Sequence, residues 1–228
     1  MGEVGSLKNA PLCVFDLDGT LVDSLPDLAE SLREMLATYG LPKLSDERVR
    51  PMVGDGVGVL VSRGLAAVEA HGIDHDEAVR RYMAIYEPRA TRLTRLFPET
   101  RETIEALRAA GFNCALCTNK PVAAARIILE RFELAKSFAA IAGGDSFPAR
   151  KPDPEHVRRT VALAGGTPDQ AVMVGDHRND VVAGNGAGLR TIFADWGYGA
   201  AAMGDQATAI ASAIDDAARF MMAWFKSE

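Results

Sequence analysis

The sequence predicts an α/β fold, a parallel β-sheet covered by helices on both faces, with an all-helical unit inserted near its start. Two observations carry this. Short apolar runs without polar alternation stop at polar turns and alternate with helical patterns, which is the rhythm of a buried parallel sheet. Between residues 22 and 95, by contrast, the pattern is helical throughout with no convincing strand, a block too long for an ordinary crossover.

Leu12-Cys13-Val14-Phe15 reads as a central strand that ends at Asp16, and Asp16-Leu17-Asp18-Gly19-Thr20 is a polar, glycine-containing turn. From Ser24 the period changes. Leu25, Leu28, Leu32, Met35 or Leu36, and Tyr39 recur at helical spacing up to Gly40, with Pro42 beyond. Further helices are expected at roughly 46–53, 56–70 and 74–95, broken at Gly54-Asp55-Gly56 and His71-Gly72. The expected organisation is a core from residues 10–21 and 96–228, with 22–95 as the inserted helical unit packed over the end of the sheet.

The α/β rhythm resumes after Phe97-Pro98 with a helix at about 99–110, presenting Ile104 and Leu107, and a strand at 113–117. A helix opened by Pro121 follows, then a weaker strand at about 138–142. Asp153-Pro154 is a strong helix start, and Gly165-Gly166 stops that helix. Ala171-Val172-Met173-Val174 is another short buried strand, followed by a helix at about 179–187 and a strand at about 189–193. The tail, roughly 206–225, reads as one or two helices. Its Phe220, Trp224 and Phe225 either pack back on the core or form a dimer patch, which leaves monomer or homodimer open.

A chain of 228 residues can form one core, or a core of about 150 residues with a smaller insertion. With 48% apolar and 25% charged residues, extensive disorder is not expected. A net charge of −6 and no long Lys/Arg cluster disfavour nucleic acid as a partner. No stretch approaches the roughly 20 apolar residues that cross a bilayer, so no membrane partner is expected either. The start of the chain lacks the basic and apolar regions of a signal peptide, so a cytoplasmic location is the default. Met1-Gly2 followed by Ser6 fits a loose myristoylation pattern short enough to arise by chance, and the first nine or ten residues read as a frayed leader. Cys114 and Cys117 are three apart on a strand and point to opposite faces. Together with Cys13 they therefore read as core hydrophobes rather than a metal knuckle or a disulfide framework.

The polar residues cluster where an open parallel sheet places its ligands, at the carboxyl ends of the strands. Asp16 and Asp18 end the first strand, Thr118-Asn119-Lys120 the second. Lys151-Pro152 follows the third, and Asp176, with Asp180 four residues on, ends the fourth. Any single Asp there can be a helix cap or a solvated loop residue. Four carboxylates aimed at one crevice repel one another and resist desolvation, however, and a divalent cation relieves both costs. Mg²⁺, which prefers hard oxygen ligands beside a substrate phosphate, fits best. The chemistry follows from position. Asp16 at the rigid strand tip is the candidate nucleophile and Asp18 the acid/base. Thr118 would hydrogen-bond a phosphoryl oxygen, Lys151 would offset negative charge, Asp176 would ligate Mg²⁺, and Asp180 would help hold it directly or through water.

As an ordered set covering nearly the whole chain, these four segments resemble the motifs of the haloacid dehalogenase-like hydrolases. The resemblance implies a Rossmann-like core, an aspartyl-phosphate mechanism and a mobile cap formed by the helical insert. It also implies an Mg²⁺ sphere from the side chains of Asp16 and Asp176 and the backbone carbonyl of Asp18. Gly19, Thr20 and Asn119 belong to the expected substrate site, Thr20 acting by tuning Asp18. Relatives that remove halide usually lack the second carboxylate, so Asp18 favours phosphate-ester chemistry.

Leu21 to Leu28, Tyr39-Gly40-Leu41-Pro42, and Val53-Gly54-Asp55-Gly56 followed by Leu60 resemble bacterial phosphoglycolate phosphatases. Gly54, Asp55 and Gly56 are therefore candidate substrate-loop residues, although a tight turn requiring glycine explains them equally well. The expected partner is a small phosphorylated metabolite. A 2-phosphoglycolate substrate carries a carboxylate, for which Arg50, Arg63, Arg81 and Arg89 are available in the insert. His177 stands where a small hydroxyl residue is common. Sugar phosphates, amino-sugar phosphates, pyrophosphate and a β-phosphoglucomutase-like reaction are the alternatives. A non-enzymatic interaction protein is disfavoured because every essential motif residue is present.

Overall fold

The computed structural model describes residues 10–225. The N-terminal leader and its myristoylation pattern lie outside the described residues. The chain opens with β1 (Leu12–Phe15), β2 (Val22–Asp23) and α1 (Leu25–Ala37). It continues through α2 (Asp46–Val49), α3 (Val57–Ala67) and α4 (His75–Tyr86) to β3 (Arg95–Leu96). Next come α5 (Thr100–Ala109), β4 (Asn113–Cys117), α6 (Val122–Arg131), β5 (Ala140–Ala142) and α7 (Pro154–Leu163). The last elements are β6 (Ala171–Gly175), α8 (Arg178–Ala187), β7 (Arg190–Ala194), β8 (Ala209–Ala211) and α9 (Ile214–Trp224).

Six strands form one parallel sheet in the order β5-β4-β1-β6-β7-β8, with β1 held between β4 and β6. Because every neighbour is parallel, all carboxyl ends fall on one edge, and β1 is buried on both sides. Its alternation divides the core. Cys13 and Phe15 face α5, α6 and α9, while Leu12 and Val14 face α7 and α8. Cys114 and Cys117 separate in the same way, one into each apolar layer, as their spacing requires. Asp153 caps α7 by accepting a hydrogen bond from Glu155 N at 2.9 Å, with Pro154 as the first helical residue.

The helical unit has a core of its own, in which Leu28, Leu32 and Met35 of α1 pack against Val61 of α3 and Ala78 and Tyr82 of α4. Its contacts with the sheet domain include Ala124 and Tyr198, which join that same apolar cluster.

Three features depart from the sequence expectation. β2 and β3 form an antiparallel two-stranded ribbon, Val22 opposite Leu96, where no strand was expected. Two-residue strands carry no readable period, and their pairing partners are far apart in sequence. The last helix of the unit stops at Tyr86 rather than 95, followed by a short 3-10 turn at Glu87–Arg89. A long-range acceptor then organises the segment beyond it. The buried Asp27 carboxylate accepts from Leu93 N, Thr94 N and the Thr94 hydroxyl at 2.8–3.0 Å. Finally, Ala209–Ala211 is not helical but pairs with β7 as an edge strand, and only α9 of the tail is helix. Phe225 packs edge-on against Phe112, and Arg190 lies over the rings of Trp224 and Phe225, so this end of α9 folds back on the core. Phe220 remains exposed, stacked on Trp224. Among the described residues no helix is long and apolar enough to cross a membrane.

Replacing Asp27 with Ala strands the donors of Leu93 and Thr94, on a segment three helices further along the chain. It should lower the unfolding free energy by about 3 kcal/mol, read as a lower urea midpoint at constant slope. A loss below about 1 kcal/mol would mean that water or loop movement satisfies those donors instead.

Candidate active site

The β1 ladder continues one residue past the strand, because Asp16 N donates to Val174 O at 2.9 Å. This fixes the Asp16 carboxylate at the carboxyl edge of the sheet, where it is buried. The chain then turns tightly. Leu17 O accepts from the amides of Thr20, Leu21 and Val22, and Gly19 sits at φ +84°. A side chain at Gly19 would be doubly excluded, since a Cβ there would lie 2.2 Å from Asp176 Oδ2. Asp176 follows β6, and Asp180 lies in the first turn of α8, where it accepts from His177 N at 3.0 Å and closes a capping box.

Asp16, Asp176 and Asp180 each offer an oxygen within 4.8 Å of the others, and all three residues are buried. Lys151 reaches the group from the loop after β5. Its Nζ lies 3.0 Å from Asp16 Oδ1 and 2.5 Å from Asp180 Oδ1, and it also donates to Cys117 O at 2.6 Å. The Lys151 amide donates to Nδ1 of buried His156 at 3.2 Å, which fixes the root of the lysine.

The charges in this group do not balance. Burial pushes the Asp176 carboxyl up to about 8, reinforced by Asp16 and Asp180 and only partly opposed by hydrogen bonds from Tyr198 N and Thr20. Burial likewise raises Asp180 to about 6, against the attraction of Lys151. Lys151 itself is held well above the ordinary lysine range, since Asp16 and Asp180 outweigh its desolvation. Asp16 Oδ1 is buried and accepts no hydrogen bond, its contact with Lys151 Nζ at 3.0 Å being an ion pair only. An all-oxygen set with a buried carboxylate oxygen that accepts no hydrogen bond and with excess negative charge fits a hard divalent cation.

A second ion pair stands beside the first. The Asp18 carboxylate turns away from the trio and accepts from Lys120 Nζ at 3.0 and 2.9 Å and from the Ser24 hydroxyl at 2.5 Å. Lys120 is itself buried and lies 4.8 Å from the centre of the Tyr86 ring. Its one sequence signal is adjacency to Thr118 and Asn119. Tyr198 gave no signal at all, yet it ties the site together. Its amide donates to Asp176 Oδ2 at 2.7 Å, and its hydroxyl accepts from Ser24 N and Leu25 N and donates to Asp23.

Asp16, Asp18, Thr118, Asn119 and Lys120 form the charged floor of a cavity of about 50 Å³ roofed by the helical unit. Gly54 and Gly56 reach this cavity at φ +118° and +89°. A Cβ at Gly54 would lie 2.7 Å from the His177 ring, so close approach to the core is a reason for glycine there. Asn119 Nδ2 locks this loop down, donating to Gly54 O at 3.0 Å and to Lys151 O at 2.8 Å. His177 serves as an acceptor, its Nδ1 taking the Asn179 amide at the start of α8.

Several expected residues lie elsewhere. Thr20 donates its hydroxyl to Asp176 Oδ1 at 3.1 Å, not to Asp18, because Asp18 has turned to Lys120. Gly19 and Thr20 lie against Asp176 and do not line the cavity. Asp55 does not line it either. Its carboxylate takes Asn179 Nδ2 at 2.7 Å and Arg63 at 2.6 Å. Burial alone would raise its pKa, but Asn179, His177 and Arg63 hold it below the usual range. None of the four insert arginines lines the cavity. Arg50 lies over Tyr198, Arg63 pairs with Asp55, Arg81 with Glu77 and Arg89 with Glu34.

Residues 13–194 match the family model of the haloacid dehalogenase-like hydrolases. Phosphoglycolate phosphatase 1 of Pseudomonas aeruginosa is 41% identical over 191 residues, 82% of this chain and 70% of the relative. Phosphoglycolate phosphatase of Mesorhizobium japonicum is 39% identical over 191 residues, covering 82% of this chain and 84% of the relative. A crystal structure from Haemophilus somnus, described as a predicted phosphoglycolate phosphatase, superposes with a TM-score of 0.87 at 31% identity. That match covers 94% of this chain and 99% of the other.

The raised carboxyl groups give a pH signature. Asp176 at about 8 and Asp180 at about 6 bind protons more tightly folded than unfolded. Their contribution to stability is therefore complete below the ordinary carboxylate pKa of about 4 and is lost as pH rises through about 6 and then about 8. In EDTA the melting temperature should fall from about pH 6 to about pH 9, and millimolar Mg²⁺ should restore it more at the alkaline end. A metal-free melting temperature that is flat or rising across that window would contradict the charge imbalance.

Proposed function

The chain belongs to the haloacid dehalogenase-like hydrolases and is a phosphoric monoester hydrolase of the phosphoglycolate phosphatase type. From that premise we propose that it is an Mg²⁺-dependent phosphatase that cleaves 2-phosphoglycolate through an aspartyl phosphate on Asp16. One observation carries the reading. Asp16 belongs at once to the buried carboxylate trio and to the cavity floor, so the metal-binding group and the substrate space share one side chain.

Asp16 attacks phosphorus and displaces the alcohol oxygen, and Asp18 protonates that oxygen as it leaves. Asp18 then takes a proton from the water that cleaves the acyl phosphate, releasing inorganic phosphate and freeing Asp16. Ser24 and Lys120 hold the Asp18 carboxylate at the cavity floor for both steps. Thr118, buried at the same floor, donates to a phosphoryl oxygen, and Lys151 offsets charge on Asp16 and on the transferred group. The side chains of Asp16 and Asp176 and the Asp18 carbonyl would hold Mg²⁺, with Asp180 helping directly or through water, and the ion would supply the charge neutralisation that lets a carboxylate approach a phosphate. Asn119 acts by joining the Gly54 loop to the lysine loop, and Gly54 and Gly56 border the substrate.

A cavity of about 50 Å³, room for about four water-sized groups, suits a compact monoester rather than a polymer. The relatives named as phosphoglycolate phosphatases support 2-phosphoglycolate. A sugar phosphate is the second reading, favoured by a roof that brings no arginine to the cavity.

Phosphatase activity should require Mg²⁺, and kcat/KM should be highest for 2-phosphoglycolate in a panel with β-glucose 1-phosphate, amino-sugar phosphates and pyrophosphate. Asp16→Asn should lower kcat by at least about 10⁴-fold. Asp18→Asn should slow turnover by about 10²–10⁴-fold and, with p-nitrophenyl phosphate, accumulate phosphate on Asp16 detectable by mass spectrometry. Turnover without metal, or phosphate never found on Asp16 in that variant, would reject the mechanism.

A further inference from the structure

The roof of the cavity is apolar except at two points. Leu28, Val57 and Leu60 present aliphatic groups, and the only polar side chains that the helical unit adds to the wall are Tyr82 and Tyr86. These lie four residues apart on α4, hence on one face, with ring centroids 5.8 Å apart and planes 14° from parallel. Both residues are almost wholly buried, at 1% and 2% exposure, and neither hydroxyl has a hydrogen-bond partner. Buried hydroxyls without partners are uncommon, and two neighbouring ones in a cavity wall require an explanation. They are not needed for packing, since a phenylalanine ring fills the same space without a polar atom to desolvate.

Their position says which part of a substrate would satisfy them. Lys120, the cation of the cavity, lies over the Tyr86 ring while pairing with Asp18. The tyrosines therefore adjoin Lys120 and, through it, Asp18, the residue that handles the leaving oxygen. We propose that Tyr82 and Tyr86 determine specificity by donating hydrogen bonds to an oxygen of the leaving alcohol, a compact group bearing a carboxylate or hydroxyl, with Lys120 adding positive charge. This rests on the phosphatase reading above and extends it to the part of the substrate beyond phosphorus. A site built to hydrogen-bond a substrate oxygen rejects analogues lacking it, because its own donors then remain unpaired.

The test compares 2-phosphoglycolate with ethyl phosphate, which has the same chain length but no oxygen on the leaving group's far carbon. β-Glucose 1-phosphate is the third substrate. Wild type, Tyr82→Phe, Tyr86→Phe and the double variant are assayed with Mg²⁺. Wild type should prefer 2-phosphoglycolate to ethyl phosphate, and that preference should fall about tenfold in each single variant and further in the double, chiefly through KM. The melting temperatures of the variants should stay level or rise, because the hydroxyls removed have no partner in the free protein. A merely structural role would lower them and leave the substrate ratio intact. A wild-type preference for 2-phosphoglycolate that persists in the double variant overturns the inference and spares the phosphatase reading. A preference for β-glucose 1-phosphate that the variants lose replaces the substrate and upholds the tyrosines. Wild type that treats ethyl phosphate as well as either oxygenated ester overturns the role of the tyrosines outright.

Discussion

Lys151 holds its ammonium 3.0 Å from Asp16 and 2.5 Å from Asp180, with Asp176 completing the group, and much of the molecule serves to keep these buried charges together. One lysine cannot balance three carboxylates out of water, and burial, reinforced by the neighbouring carboxylates, raises the carboxyl pKa values. The surroundings are arranged to tolerate that strain. His156 fixes the lysine backbone, Tyr198 N and Thr20 support Asp176, and the α8 capping box orients Asp180. Gly19, Gly175 and Gly197 lie so close to Asp176 or Asp180 that no side chain fits. Charge this concentrated is relieved by protons or by a cation, so the feature that costs the free protein stability is also what makes the group capable of coordinating a divalent metal.

The two domains divide the work. The sheet domain supplies all the charged groups of the cavity floor, and the helical unit supplies shape, two glycines and two unpartnered phenols. The link between them is partly apolar and partly polar. Asn119 and Asn179 reach the Gly54 loop, and Tyr198 binds the amides that open α1. These bonds add to the apolar contacts that Ala124 and Tyr198 make with the core of the helical unit. This arrangement would let chemistry stay constant in the floor while the leaving group is chosen by the roof.

Much of this was legible in the sequence. The fold class, the strands that end in Asp16, Thr118 and Asp176, and the ordered motifs follow from short-range signals: apolar runs, turn residues and a carboxylate at a strand tip. The parallel sheet then forces those tips to one edge, so Asp16, Lys151, Asp176 and Asp180 could be grouped before any coordinates. The opposite facing of Cys114 and Cys117 is likewise plain strand geometry.

What the sequence could not decide is which partner each polar group takes once several are within reach. Asp18 pairs with Lys120 rather than with Thr20, and Asp55 pairs with Arg63 and Asn179 rather than facing substrate. Asp27 organises residues 93 and 94, and the insert arginines turn to other partners, leaving the cavity to Tyr82 and Tyr86. The β2–β3 ribbon and the β8 edge strand belong to the same class, since each exists only by virtue of a neighbour distant in sequence. Local periodicity fixes where the chain is helix or buried strand and where its charges emerge. Hydrogen bonds and ion pairs act over about 3 Å, so their partners are chosen only by the packing that brings distant segments that close.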